Sequence, residues 1–323
     1  MKNNMNKALC FKFVMLTVFI AIFAVSHLRA SELASVLETK LMIPMNSGVT
    51  VKWVVPPANF NEPLSKNLIN SLQFSVDNQG SPWIGVEERK LINPVKGVVM
   101  ELSEPFKNFM HNSSGAMMFS TPTTMGFIGL ASEIKDLNGD FPVVPYQPLC
   151  DLPSFYSKIY KGLNNSVYIV SEEQNKNVVY LLKTQKDGYG KNEGLKGFVK
   201  IFEHSKPINS VAGGEGKCFI ALDNRIIELN DSGSSAFIQD VYKEKINDLA
   251  YANNGGVFFT TDTGIGYHSR NKSFKFLETK KAKISFDGKN LYVLFPENMG
   301  IIAIENAIKL SEQIFSLNAK LFD

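Results

Sequence analysis

Histidine is scarce in this chain of 323 residues: there are four, and His27 falls in an N-terminal stretch expected to be removed. No pair among His111, His204 and His268 has the spacing of metal ligands, and none neighbours a cysteine, which argues against zinc. Cysteine is nearly as rare. Of Cys10, Cys150 and Cys218, only the last two would survive removal of the first 30 residues. Two are too few for a disulfide-built scaffold. They read as buried free thiols, with a single pair in an oxidising compartment as the alternative. Nucleophile motifs are missing too: there is no G-x-S-x-G, and GGEGK at 213–217 lacks the spacing and the Ser/Thr of a phosphate loop. A long apolar run is also lacking. The N-terminal one, Phe13 to Val25, falls short of the roughly 20 residues a membrane span needs.

That short run follows Lys2, Lys7 and Lys12 and precedes the small residues Ser26 and Ala30. Basic, then apolar, then small is the order of a secretory signal peptide. Residues 1–30 are therefore expected to be cleaved, with an uncleaved anchor as the alternative, and the mature chain is expected to be periplasmic or extracellular. Cys10 lies ahead of the apolar run, where it is badly placed for lipid attachment. Cleavage removes Lys2, Lys7, Lys12 and Arg29 and no acid, so the formal charge falls from +3 to 3 − 4 = −1. A near-neutral mature chain offers no footprint for nucleic acid and no basic patch for a membrane surface. Residues 31–323 have the length of one large domain or two small ones.

What is present is repetition. INDLAYANNGGVFFTTDTGIGYHS, residues 246–269, fits three short antiparallel strands: INDLAY, VFFTT and IGYHS, joined by NNGG and DTG turns. The layout recurs at 208–229, at 284–304 and at 69–93, and more weakly from Phe109 and from Leu163. The second strands begin near Pro82, Ala116, Val167, Cys218, Val257 and Leu291, at separations of 34, 51, 51, 39 and 34 residues. A repeat of roughly 40–45 residues with four strands is the mark of a β-propeller. The expected fold class is all-β: six four-stranded antiparallel blades, with seven as the alternative. Fourth strands are expected at stretches such as SFKFLE (273–278) and QIFSLN (313–318). SGVTVKWVV at 47–55 alternates well enough to close the ring, and Pro56 and Pro57 then end it. Leu310, Ile314, Leu317 and Leu321 also have the spacing of an apolar helical stripe, the alternative for the tail. The longer separations are read as loop insertions near 121–155 and 184–206, both rich in Gly, Pro, Asp and Asn.

In texture these units resemble the exported propeller repeats of two-component sensor ectodomains. Ile246, Leu249, Gly256, Val257, Phe258, Thr260, Thr261, Gly264 and Ile265 match that repeat best, and Gly80, Pro82, Trp83, Ile84 and Gly85 match its middle. The resemblance spans about residues 69–305. It implies an architecture rather than an activity. Such sensors continue into a membrane helix and a signalling domain, whereas this chain stops at Asp323.

Chemistry is harder to find. DLNGD at 136–140 alternates Asp136, Asn138 and Asp140 as a calcium loop does, but Phe141, Pro142, Val143 and Val144 follow where further oxygen ligands belong. Asp77, Glu172, Asp223 and Asp287 are acids near blade edges that could hold an axial metal in a hydrolase or lyase, and each reads equally as a turn residue. Four N-x-S/T triplets, at Asn112, Asn164, Asn230 and Asn271, matter only where secreted proteins are glycosylated. The expectation is accordingly a non-catalytic interaction or assembly module of the cell envelope, with no catalytic residues, metal or cofactor. Its protein partner would dock on Phe127, Ile128, Phe141, Val143 and Tyr146, with Val144 beside them. The alternatives are a propeller hydrolase or lyase with an axial metal, and a ligand-sensing ectodomain that works with a separate membrane partner.

Overall fold

A computed structural model describes residues 48–58, 64–128, 143–182, 197–230, 237–240, 244–269 and 272–319, except 156, 164 and 215. The strands form six separate sheets, one per blade. Blade 1 holds β2 (Gln73–Val76), β3 (Pro82–Val86), β4 (Lys90–Asn93) and β5 (Val98–Leu102), and is preceded by α1 (Lys66–Ser71). Blade 2 holds β6 (Asn108–His111), β7 (Met117–Ser120), β8 (Thr124–Ile128) and β10 (Tyr146–Asp151). Between the last two comes β9 (Val143–Val144), which pairs in parallel with the outer edge of blade 1 through Glu101 and Leu102. Blade 3 is β11 (Lys158–Lys161), β12 (Val167–Glu173), β13 (Lys176–Leu182) and β14 (Phe198–His204). Blade 4 is β15 (Ile208–Gly214), β16 (Lys217–Leu222), β17 (Arg225–Asn230) and β18 (Phe237–Asp240). Blade 5 is β19 (Asp248–Tyr251), β20 (Val257–Thr260), β21 (Gly264–Ser269) and β22 (Lys272–Glu278). Blade 6 is β23 (Lys283–Phe286), β24 (Leu291–Phe295), β25 (Gly300–Glu305) and, from the other end of the chain, β1 (Thr50–Val55).

The spacing of the second strands located all six blades. The NNGG turn behaves as its residues require: Asn253 and Gly255 take φ of 58° and 81°, a conformation these types adopt at low cost. In the neighbouring strand Gly266 is needed for room, because a Cβ there would meet the Phe259 ring at 2.3 Å. The apolar second strands fill the space between blades. Phe258 is fully buried, with its ring 5.2 Å from Tyr267, 6.2 Å from Phe276 and, in the next blade, 5.9 Å from Phe286.

Closure comes from the expected N-terminal strand. β1 runs antiparallel to β25, from Thr50 opposite Glu305 to Val55 opposite Ile301, with a bulge between Trp53 and Val55. Lys52 and Thr50 both bind the Glu305 carboxylate. That settles the tail. With the fourth place of blade 6 taken by β1, QIFSLN has no sheet edge to join, and the expected strand is instead part of α2 (Ala307–Ala319). Ala307 and Leu310 of α2 are buried, and Ser311 accepts from Asn254 Nδ2 at 2.7 Å.

The two insertions are shorter than expected. Residues 121–155 include β8 and β10, the third and fourth strands of blade 2, and 184–206 include β14, which completes blade 3. Turn-forming residues between these strands masked them in the sequence. Residues 129–142 and 183–196, and with them DLNGD, lie outside the described residues, as do residues 1–47. Among the described residues no helix is long and apolar enough to cross a membrane.

Two histidines are sealed into the blades. His111 donates its backbone N–H to Ser75 Oγ at 2.9 Å, and its Nδ1 shares a bond with the same oxygen at 3.0 Å. His268 shares a 2.6 Å bond with Ser273 Oγ and sets its ring edge-on to Phe219. Burial holds both imidazoles down at about 4.

Candidate functional site in the axial channel

The inner strands β2, β6, β11, β15, β19 and β23 surround a cavity of about 590 Å³ on the ring axis. That volume is in the range of small-molecule sites. An inner strand exposes alternate side chains to this channel, so each residue there has a choice of tasks. In most blades the polar residue latches the next blade. Gln73 Oε1 accepts the Phe109 amide at 3.0 Å, and Asn108 Oδ1 accepts the Ile159 amide at 3.0 Å. The Asp248 carboxylate accepts the Ile284 amide. Ser210, Ser75 and Ser285 latch in the same way, to Leu249, His111 and Val76.

Blades 3 and 6 break the pattern. The first inner-strand position, where Gln73, Asn108 and Asp248 stand, holds Lys158 in blade 3 and Lys283 in blade 6. A lysine ammonium has donors only and cannot receive an amide. Both side chains line the cavity, and neither has an ion-pair or hydrogen-bond partner among the described residues. Because blades 3 and 6 are three apart in a ring of six, the two lysines approach the axis from opposite sides. Desolvation lowers the Lys158 pKa, and the charges of Lys283 and Lys245 lower it further, against the opposing effect of Asp248. Asp248 is raised by burial, while Lys283, Ser210 and the Leu249 and Ile284 amides pull it back. Its Oδ1 takes the Leu249 amide at 2.9 Å and Ser210 Oγ at 3.1 Å, so this carboxylate serves the backbone first.

Farther along the axis Lys161 donates from Nζ to the Phe286 carbonyl at 3.1 Å, again from blade 3 to blade 6. Tyr160, between the two lysines of β11, donates its hydroxyl to the Asn209 carbonyl at 3.1 Å. The remaining acids of the lining stand at the rims and are engaged. Glu87 and Glu88 pair with Lys90 and Lys107 at 3.6 and 3.9 Å, and Asp287 caps its own turn through the Lys289 and Asn290 amides.

An axial metal does not fit this donor set. Asp248 has its acceptors committed, the other lining carboxylates are held at the rims, and among the described residues no three His, Cys, Asp or Glu side chains converge. The four edge acids divide accordingly. Asp287 reaches the cavity rim, whereas Asp77 closes its own turn on the Gln79 and Ser81 amides. Glu172 sits near the β12–β13 hairpin opposite Asn177, and Asp223 occupies the β16–β17 turn at φ 56°.

Of the residues expected to bind a partner, Ile128 and Tyr146 stand opposite each other on β8 and β10, with Phe127 next to Ile128. Phe127 packs with the methionines of blade 2, and Ile128 and Tyr146 pack against the phenylalanine cluster of Phe106, Phe109 and Phe119. Val143 and the buried Val144 form β9, and Phe141 lies outside the described residues. What the sequence reading missed, Lys158, Lys161, Lys283, Asp248 and Tyr160, is on the first strand of the repeats. Polar residues alternating with apolar ones in KIYK and KISF were the available signal.

No protein family and no curated protein matches the chain. Solved structures do. Regucalcin from Agrobacterium tumefaciens, a calcium-binding protein, is 12% identical with a TM-score of 0.51, over 72% of this chain and 88% of that one. Virginiamycin B lyase from Staphylococcus aureus is 14% identical, TM-score 0.47, over 80% and 99%. A gluconolactonase from Xanthomonas campestris is 9% identical, TM-score 0.49, over 78% and 99%. Likeness at this level establishes the repeated propeller blade and does not extend to the sensor ectodomains that the repeats resemble. It also corrects the expectation of a non-catalytic interaction module. The structures of similar fold include proteins named as a lyase and as gluconolactonases, and in this chain Lys158 and Lys283 line the channel without an ion-pair or hydrogen-bond partner among the described residues.

Proposed function

We propose that the protein is a propeller hydrolase or lyase whose substrate enters the axial channel, and that Lys158 is its base. The observation behind this reading is the placement of Lys158: a latch position that holds Gln73 or Asn108 in other blades carries a lysine with no partner, in a cavity of substrate size. Burial and two neighbouring lysines favour its neutral form, as general-base catalysis requires. A neutral amine there takes a proton from a water that attacks a carbonyl, or from a carbon next to one. Asp248 acts on it from a fixed position and sets how readily the proton is held.

The test is a screen of the purified protein against lactones, esters and carboxylates with a leaving group on the β-carbon. Turnover lost in Lys158→Met with the fold intact, and rising with pH about a midpoint below the ordinary lysine value of about 10.4, supports the reading. Turnover that survives Lys158→Met overturns it. Export is proposed alongside, from residues 1–30. N-terminal sequencing of the protein recovered from its native source should begin near residue 31.

A further inference from the structure

We infer that Lys283 forms an anion subsite in the channel, which makes the substrate a small molecule bearing a carboxylate or phosphate group. This deepens the reading of the channel as a substrate site and rests on it.

Four observations converge on Lys283. It occupies a position that in blades 1, 2 and 5 holds an acceptor for the next blade, so its presence forgoes a second latch to β2, beside that of Ser285, which glutamine, asparagine or aspartate would supply. Its ammonium lines the cavity without an ion pair within 4 Å among the described residues. The one carboxylate that acts on it from within, Asp248, is committed to Ser210 and to the Leu249 and Ile284 amides. Finally, the side-chain amides nearby each commit one of their two N–H donors to protein, Gln73 Nε2 to the Lys107 carbonyl at 2.8 Å and Asn108 Nδ2 to the Ile159 carbonyl at 2.7 Å, and neither carries charge.

The consequence is a division of labour. The charged donor left to meet a ligand at this end of the channel, among the described residues, is the Lys283 ammonium, so recognition here is by charge. With Lys158 the neutral base, Lys283 is the cation of this end, and the nearby Asp248 carboxylate is already held by Ser210 and two backbone amides. The rim acids are engaged elsewhere: Glu87 and Glu88 face Lys90 and Lys107, and Asp287 accepts the Lys289 and Asn290 amides of its own turn. In a low-dielectric cavity an ammonium without an ion-pair partner draws an anion far more strongly than it would on an open surface. Lys283 holds the anionic group, and the reacting part of the molecule extends across the axis toward Lys158.

Inorganic phosphate is the probe. Calorimetry on the full chain at constant ionic strength, with chloride as the background anion, should show saturable one-to-one binding. The melting temperature should rise with phosphate but not with added chloride. Lys283→Met should weaken phosphate binding at least tenfold, Lys283→Arg should keep most of it, and Lys96→Met, on the exposed β4–β5 turn, should change nothing. No saturable phosphate binding by the wild type, or unchanged affinity in Lys283→Met, overturns the subsite. The wild-type arm decides the matter even if the methionine variant fails to fold. The two readings also fail separately. Turnover indifferent to Lys283→Met leaves the enzyme standing without the subsite. Phosphate bound through Lys283 in a protein that turns nothing over leaves the subsite without the enzyme. Where both hold, Lys283→Met raises KM and spares kcat, whereas Lys158→Met lowers kcat.

Discussion

Lys161 and Phe286 are joined across the ring axis, the lysine Nζ donating to the phenylalanine carbonyl at 3.1 Å. This strut connects blades that share no sheet and are not neighbours. In Lys161→Met the carbonyl stays in place without its donor, and stability should fall by about 1–3 kcal/mol. Urea unfolding measures it. A midpoint unchanged or higher would mean that desolvating the ammonium, which already lowers the lysine pKa, costs more than the bond returns.

Asp248 should tolerate loss of its charge but not of its oxygens. Asn108 performs the same latch in blade 2, so Asp248→Asn keeps an acceptor for Leu249 or Ile284 and should stay within about 0.5 kcal/mol of wild type. Asp248→Leu leaves the Ile284 amide and the Ser210 hydroxyl without this acceptor, while the Leu249 amide keeps Ser210 Oγ, and should cost about 1–3 kcal/mol for each group that finds no water. Comparing the two variants by thermal melting separates charge from latch.

His111 and His268 give stability a defined pH dependence. Each is held near 4 in the folded chain against an ordinary histidine value of 6.5, so between these limits the unfolded chain binds more protons. Stability from this source is therefore complete above pH 6.5 and falls as pH drops toward 4, with a slope of about 1.4 kcal/mol per pH unit for each histidine. Denaturant titrations at pH 7, 6 and 5 should show the fall. His268→Asn should remove one proton's share of the slope, and an unaltered slope would contradict the assignment.

Cys150 and Cys218 are free thiols, the first half-buried and the second buried. Burial and the nearby Asp151 push the Cys150 thiol up to about 11, far from the thiolate that reacts. A thiol reagent at pH 8 should label the native chain slowly and find both thiols only after denaturation. Rapid labelling of the native protein would show that blade 2 opens at its outer strand.

The sequence disclosed the blades more readily than the channel, for a physical reason. A second strand such as VFFT is buried on both faces, so its apolar run and flanking turns stand out at each repeat. β8, β10 and β14 are shorter of such signal: Pro148, Gly126 and exposed Lys200 give them the composition of loops. The helical stripe of α2 was visible, but choosing it over a strand required knowing that β1 already filled the edge of blade 6. The site was hidden differently. KIYK and KISF are unremarkable alone, and Lys158 and Lys283 acquire meaning only when set beside Gln73, Asn108 and Asp248 around the axis.

The closing strand has a consequence for the order of events in the cell. Thr50 and Glu305 are 255 positions apart, yet they share a hydrogen bond. A ribosome emits TVKWVV early and its partner GIIAIE nearly last, so five blades can assemble while an apolar edge strand waits unpaired. Such a segment is a template for pairing with another chain until the ring shuts. Slow closure, governed by contacts between the two ends of the chain, is thus built into its topology.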